Sequence, residues 1–343
     1  MATSMAEPTN DIVYPPTEEH IPRECENCLI ISYDLETTGL SSEDEIIQIG
    51  AHTNIPASQR TSDFSQFILP ATRCVEPEAA EKIGLQVRED GLYDSRKNTI
   101  VPTVSESEGL ILFLSWLRSL QDGYDGVILV SHGAIFLDIP VLIRALQRTS
   151  MTQIFFQVVK GFCDSNAIFQ DDRTRRYSSY SLQSLYQTIV GTREEIHRAD
   201  EDARDLHTLL LRYFNVESLS LAIPVLNSCT YTSRCMELYS AWKTYEDGKI
   251  DDMRAIVDWK KQSEKKKRVI LKNLIAAGCD IQGLSDEYTR SPSKRAFKMQ
   301  LKRRIQSMKD THENYLLGTR LVCAGEIVST VACFVRRRQE RLC

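Results

Sequence analysis

The stretch "CLIISYDLETTGL" (residues 28–40) ends an apolar, strand-forming run in two carboxylates, Asp34 and Glu36. Side chains two apart on a strand share a face, so these acids project together. Adjacent carboxylates repel unless a proton or a cation lies between them. Hard divalent cations such as Mg²⁺ or Mn²⁺ take oxygen ligands. On this stretch alone, a solvated strand end before a Thr-Thr-Gly turn explains the acids equally well. Two further stretches carry residues of the same kind. In "VSHGAIFLDIPVL" (130–142) Asp138 follows an apolar run and opens a helix. In "HRADEDARDL" (197–206) His197 precedes a helix whose first turn holds Asp202. Each has an ordinary reading too: an acid at a helix start complements the helix dipole, and a lone His is commonly a packed or surface residue.

The elements around these residues decide whether they can meet. "LIISYDLE", "EIIQIGAHT" (45–53) and "TSDFSQFILP" (61–70) read as three strands of an antiparallel meander. "PEAAEKIGL" starts a short helix at Pro77. "SESEGLILFLSWLRSLQ" (105–121) has a capping box, Ser105 with Glu108, ahead of helical apolar spacing. "GVILVSH" (126–132) and "FQVVKGFCDS" (156–165) read as buried strands, with the helix "IPVLIRALQR" (139–148) between them. "YSLQSLYQTIVG" (180–191) and "ADEDARDLHTLLLRYF" (199–214) read as helices. Strands first, then helix and strand in alternation, make an α/β sheet of mixed direction. In open α/β sheets chemistry collects at strand ends. After about residue 215 the pattern is mostly helical and polar, and no internal repeat is present.

Taken together, the three acidic stretches resemble the DEDDh 3′→5′ exonucleases over about residues 28–214. "DLETTGL" is similar to that family's first motif. "HGAIFLDIPVL" resembles the second motif as found in the three-prime repair exonucleases and in the exonuclease-like domain of promyelocytic leukaemia proteins. Those relatives have His-Asn-Gly where this chain has His132-Gly133-Ala134, a departure that bears on substrate contact and leaves Asp138 in place. "YSLQSLYQTIVG" followed by "HRADEDARDL" resembles the third motif; the family spacing selects Asp202, with Asp205 one turn further on. Asp200 and Glu201 are expected to serve the helix dipole, and Asp44 and Glu45 to be loop charges.

The resemblance implies a ribonuclease H-like mixed sheet flanked by helices over residues 25–214. A flexible leader (1–24) precedes it and a mainly helical, basic region (215–343) follows. It also implies hydrolysis of nucleic acid, DNA favoured, from a free, single-stranded 3′ end to 5′-mononucleotides. Asp34, Glu36, Asp138 and Asp202 would hold two Mg²⁺ ions, with Mn²⁺ as a substitute, Asp34 bridging them and His197 acting as general base. Thr37, Thr38 and Leu40 are the substrate-side candidates, Leu40 as a wedge against a base or as plain turn packing. Degenerate, non-catalytic modules of this fold lose one or more of the five catalytic positions, and all five are filled here. An RNA 3′ exonuclease of the same superfamily is the alternative substrate reading.

The remaining sequence bounds these expectations. Hydrophobic (42%) and charged (26%) contents are those of an ordinary globular protein. The net charge of −5 hides an asymmetry: residues 1–253 carry 21 basic and 38 acidic side chains, residues 254–343 carry 21 and 9. The basic part, with clusters at Lys265, Lys266, Lys267 and Arg268 and at Lys302, Arg303 and Arg304, can hold a polyanion or form a solvated helical face. Ten cysteines follow no framework, which fits free thiols in a reducing, intracellular compartment, nuclear or cytoplasmic. "KKKR" also reads as an import signal. Cys25 and Cys28 make only half a zinc site. "LVCAGEIVSTVACFV" (321–335) is too short for a span and contains Glu326, so no membrane partner is expected.

Overall fold

A computed structural model describes residues 27–40, 43–55, 60–171, 177–192, 197–227, 229–257 and 263–311, with 327–328, 331–332 and 334–335. The expected leader and most of 321–335 lie outside the described residues. The chain divides into two compact units between Ser240 and Ala241.

The first unit is built on a mixed sheet. Strands β1 (Cys28–Thr37), β2 (Ile46–Ile55) and β3 (Arg60–Phe67) form the expected antiparallel meander. Helix α1 (Pro77–Ile83) leads into β4 (Leu85–Arg88), β5 (Gly91–Asp94) and β6 (Thr99–Val101), which make a separate three-stranded antiparallel sheet. Helix α2 (Glu106–Leu120), capped by the Ser105 hydroxyl on the Glu108 amide, returns the chain to β7 (Gly126–Ser131). Then come α3 (Asp138–Arg148), α4 (Thr152–Phe156), β8 (Val159–Asp164), α5 (Ser165–Asp171), α6 (Leu182–Ile189), α7 (Ala199–Phe214), α8 (Ile223–Asn227), β9 (Thr230–Thr232) and the start of α9 (Ser233–Met253).

The main sheet runs β3-β2-β1-β7-β8-β9, with β1, β7 and β8 parallel and β9 antiparallel. Alternation divides β1 between two faces. Cys28 and Ile30 join Ile128 and Val130 of β7 in a core packed against Leu185 of α6 and Leu206, Leu209 and Leu210 of α7. Ser32, Asp34 and Glu36 follow on that same face at the C-terminal end. The acidic strand end is therefore the continuation of the stripe that seats α7.

Two features depart from the expected organisation. The sheet does not close at residue 214: β9 adds a sixth strand to β8. The segment 85–101, for which the sequence predicts no element, holds three strands. Both are built from strands of three or four residues, too short to carry a readable period.

The second unit is helical among its described residues: the remainder of α9, then α10 (Glu264–Ala276), α11 (Ile281–Arg290) and α12 (Lys294–Thr311). Buried Glu246 accepts from Lys272 (2.7 Å) and Lys243 (3.2 Å). Arg304 donates to the carbonyls of Ala277 (2.7 Å) and Gly278 (2.5 Å), capping the C-terminus of α10. Arg268 pairs with Asp247 at 2.7 Å. Two members of the expected basic clusters thus serve the fold of this unit. On α12, Phe297, Leu301 and Ile305 are buried, while Lys294, Arg295, Lys302 and Arg303 are exposed.

Candidate active site

Asp34, Glu36 and Asp202 come together: one carboxylate oxygen from each lies within 4.8 Å of the others. Glu36 and Asp202 are buried and Asp34 half-buried. The approach of α7 to β1 depends on β2. Gly50 is registered opposite Asp34, and Gln48 opposite Glu36. A Cβ on Gly50 would lie 2.0 Å from the carbonyl carbon of Ala199 and 2.1 Å from the amide nitrogen of Asp200. The first turn of α7 therefore rests on a bare backbone. Gln48 does the capping. Its Oε1 accepts from the Ala199 amide (3.3 Å), and its Nε2 donates to Asp200 (2.7 Å) and to Ser65 (3.0 Å). Asp200 sits in the first turn as expected for the dipole, and it also has this specific partner.

Arg198, at the N-cap of α7, is used elsewhere. It pairs at 2.5 Å with Asp94 of β5, both side chains being buried, and donates to the Ile83 carbonyl at 2.6 Å. Arg96, just after β5, donates to the carbonyls of His197 (3.1 Å) and Lys82 (2.8 Å). The small sheet thus holds the stretch from which α7 starts. His197 lies there, half-buried, five residues before Asp202. It is not a member of the group of close carboxylates.

Asp138 enters from β7 and α3. It is buried, and its Oδ2 accepts from the Ser131 hydroxyl at 2.7 Å. It stands outside the close triad, yet it feels the charge of Glu36. Burial raises the Asp138 carboxyl from 3.8 to about 7; the Ser131 hydrogen bond opposes this, and Asp164 and Glu36 add to it. Burial likewise raises Glu36 from 4.5 to about 7, against the attraction of Lys82, Arg198 and Arg96 and with the repulsion of Asp200. Tyr33, fully buried, has a hydroxyl with no hydrogen-bond partner among the described residues; burial, then the charges of Asp138, Asp34 and Asp164, hold its phenol well above 10. Buried carboxyls pushed towards protonation are short of positive charge. An all-oxygen set of this kind fits a hard divalent cation.

The turn after β1 is tied internally. Thr37 donates to the Gly39 carbonyl (2.7 Å), and Thr38 donates to Asp44 (2.8 Å) and accepts from the Glu45 amide (3.0 Å). The two hydroxyls expected on the substrate side thus have partners within the turn, and both residues are buried. Leu40 is the member that faces outward, 79% exposed. Asp44 and Glu45 are not simple loop charges: besides the Thr38–Asp44 bond, Glu45 accepts from the amides of Ala71 (2.9 Å) and Thr72 (3.0 Å) and from the Thr72 hydroxyl. His132 holds the second motif in place. Its Nε2 donates to the Tyr180 carbonyl (2.7 Å), which leaves Nδ1 to accept from the Ser165 hydroxyl (2.9 Å).

Four contributors were not apparent from the motifs: Gln48, Gly50, Arg198 and Asp164. Asp164 ends β8, is buried, and accepts from the amides of Gly133 (2.8 Å) and Asn166 (2.9 Å). A glycine within a strand is a signal of close backbone approach. The others give no local sign.

A mixed sheet with carboxylates gathered at the ends of β1, β7 and β8 and on the first turn of α7 now has a counterpart among known families: residues 28–189 match the family described as the Exuperantia RNAse H-like domain. The fold is that of a ribonuclease H-like domain. The chain is 28% identical over 178 residues to the maternal protein exuperantia of Drosophila melanogaster, covering 49% of this chain and 32% of that protein. It is 26% identical over 181 residues to the protein of the same name from Drosophila virilis, covering 51% and 36%. The chain thus spans about a third of the length of these curated relatives. Among solved structures, Escherichia coli exonuclease I in complex with a dT13 oligonucleotide is similar at 13% identity and a TM-score of 0.41, covering 55% of this chain and 42% of that one. Exonuclease I from Methylocaldum szegediense is similar at 12% identity and a TM-score of 0.40, covering 89% and 73%. The likeness to three-prime repair exonucleases rests on the motif residues alone.

Proposed function

We propose that the RNase H-like domain is a metal-dependent 3′→5′ exonuclease that hydrolyses nucleic acid, DNA favoured, from a single-stranded 3′ end to 5′-mononucleotides. The observation that carries this reading is the convergence of Asp34, Glu36 and Asp202 from two separate elements to within 4.8 Å, with Asp138 near enough to feel the Glu36 charge. A degenerate module has no need to keep three carboxylates crowded against their own repulsion, with a fourth, Asp138, buried nearby.

Asp34, Glu36, Asp138 and Asp202 would hold Mg²⁺, two ions by the family resemblance. Bound there, Mg²⁺ supplies acidification of the attacking water and neutralisation of charge on the phosphate and the leaving 3′ oxygen. His197 takes up the proton of the attacking water, the role an imidazole commonly fills as a general base. Ser131 keeps Asp138 oriented by its hydrogen bond. Gln48 and Gly50 fix the position of Asp202 by fixing the first turn of α7. Leu40 offers an apolar side chain to the terminal base, a contact indifferent to base identity.

The deciding experiment incubates the full chain with end-labelled single-stranded DNA and RNA, Mg²⁺ and, in parallel, a chelator, with Asp34→Ala as the control. Stepwise shortening from the 3′ end that needs metal and Asp34 supports the reading. Binding of either strand without shortening would overturn it in favour of a nucleic-acid-binding module, and faster shortening of RNA would reverse the substrate preference.

A further inference from the structure

Three cations act on the Glu36 carboxyl: Lys82, Arg198 and Arg96. Two of them are committed. Arg198 is held by buried Asp94 and donates to the Ile83 carbonyl. Arg96 donates through one nitrogen to the carbonyl of Lys82 (2.8 Å) and through the other to the carbonyl of His197 (3.1 Å). A guanidinium is a rigid, planar fork, so one group bonded to both carbonyls sets the backbone of Lys82 directly beside that of His197. The two arginines fasten the end of α1 to the stretch that opens α7, and Lys82 is carried with it.

The ammonium of Lys82 is exposed and has no ion pair or hydrogen bond among the described residues, although it is the cation that the Glu36 carboxylate feels most. A lysine in the last turn of a helix also complements the dipole. Here that role is slight: α1 has seven residues, and the carbonyls of Lys82 and Ile83 already accept from Arg96 and Arg198.

We propose that Lys82 is a substrate-binding residue of this site, its ammonium engaging a non-bridging oxygen of the phosphate that is cleaved. The position of that phosphate follows from the exonuclease reading above, between the carboxylates and His197. A phosphate arriving there meets acidic side chains, and a mobile point charge beside them, not already paired with a carboxylate, offsets that repulsion. The contact follows the phosphate itself, so it applies equally to a minimal substrate and to a long strand.

The test compares the full-length wild type with Lys82→Met and Lys82→Arg. Calorimetry with thymidine 5′-monophosphate in Ca²⁺ reads the contact without turnover. Hydrolysis of the p-nitrophenyl ester of thymidine 5′-monophosphate reads it with turnover. Lys82→Met is expected to weaken mononucleotide binding about tenfold, as for one partly solvated charge-assisted hydrogen bond, and to lower kcat/KM on the ester to match. Lys82→Arg should retain most of both, with melting temperature and Ca²⁺ affinity no lower than in the wild type. Unchanged mononucleotide affinity in Lys82→Met would overturn the proposal. So would a loss confined to long strands, or a loss that follows weakened Ca²⁺ binding. A wild type that binds the mononucleotide but hydrolyses nothing sinks the exonuclease reading alone, and Lys82 then stands or falls on the binding data.

Discussion

Gly50 and Ala199 touch backbone to backbone: a Cβ on Gly50 would fall 2.0 Å from the Ala199 carbonyl carbon. Because Gly50 is registered opposite Asp34, this one contact sets the distance between the strand that carries Asp34 and Glu36 and the helix that carries Asp202. Gly50→Ala must push the start of α7 outward. Overpacking of this kind costs ~1–3 kcal/mol, seen as a lower melting temperature. The further consequence is specific to the site: Mn²⁺ affinity should fall by more than that of a variant equally destabilised far from α7. Equal losses in the two would show that Gly50 has no part in placing Asp202.

The roles assigned to Asp34, Asp202 and His197 separate by measurement. Asp34→Ala and Asp202→Ala should abolish turnover while leaving the melting temperature of the metal-free protein unchanged or raised, because each relieves carboxylate repulsion. His197→Ala should lower turnover by ~10²–10⁴, the usual range for loss of a general base, and leave Mn²⁺ binding by calorimetry nearly unchanged. A large drop in Mn²⁺ affinity in His197→Ala would make it a ligand.

The pH dependence has a defined sign. Glu36 and Asp138 titrate near 7 in the fold, above their ordinary 4.5 and 3.8. Between those values and 7 the folded metal-free protein binds more protons than the unfolded chain, so these groups stabilise it at low pH and the contribution is lost as pH rises through 7. Buried His207 has the opposite effect. Burial, then the charge of His52, lowers it from 6.5 to about 3, so stability falls as pH drops from 6.5 to about 3, by up to ~1.4 kcal/mol per pH unit. Metal ions require the deprotonated acids. Mn²⁺ affinity should therefore fall as pH drops below 7, with proton release on binding detectable by calorimetry in buffers of different ionisation enthalpy. Proton-neutral binding at pH 7 would contradict the raised carboxyls.

The sequence shows the site's reactive groups more clearly than their supports, for a physical reason. Asp34, Glu36, Asp138 and Asp202 lie at the ends of elements marked by local signals: alternation in β1, an apolar run in β7, and 3.6-residue spacing in α7, whose bounds 199–214 are the same in sequence and structure. What holds those elements together is long-range. Gln48 caps a helix about 150 residues away, and Arg198 pairs with Asp94 across about 100; no window of sequence contains both partners. β9 and the β4–β5–β6 sheet are similarly hidden, because three or four residues cannot display a period. The hydroxyls of Thr37 and Thr38 are legible as turn residues, but that they close the turn on itself is visible only once Gly39 and Asp44 are in place.

Helix α12 places Lys294, Lys298 and Lys302 four residues apart, one row along the helix, with Arg295 and Arg303 in the row beside it. None of the five has an ion pair among the described residues, whereas Arg304 on the same helix is taken by Ala277 and Gly278. Phe297, Leu301 and Ile305 form the buried stripe next to these lysines, of which Lys294 and Lys302 are exposed and Lys298 half-buried. Glutamine keeps much of each lysine's aliphatic stem against that stripe. If the row grips a nucleic-acid backbone, each phosphate it neutralises adds to the salt dependence of binding. The triple variant Lys294→Gln, Lys298→Gln, Lys302→Gln should then raise KM on long single strands and flatten the plot of log affinity against log salt. The rate on a dinucleotide should be unchanged, because its single internucleotide phosphate is the one that is cleaved and leaves no further backbone for the row to hold. A solvated helical face would behave differently: the variant would keep both the KM and the salt slope of the wild type on long strands, with a normal melting temperature, and the basic row would then have no part in holding substrate.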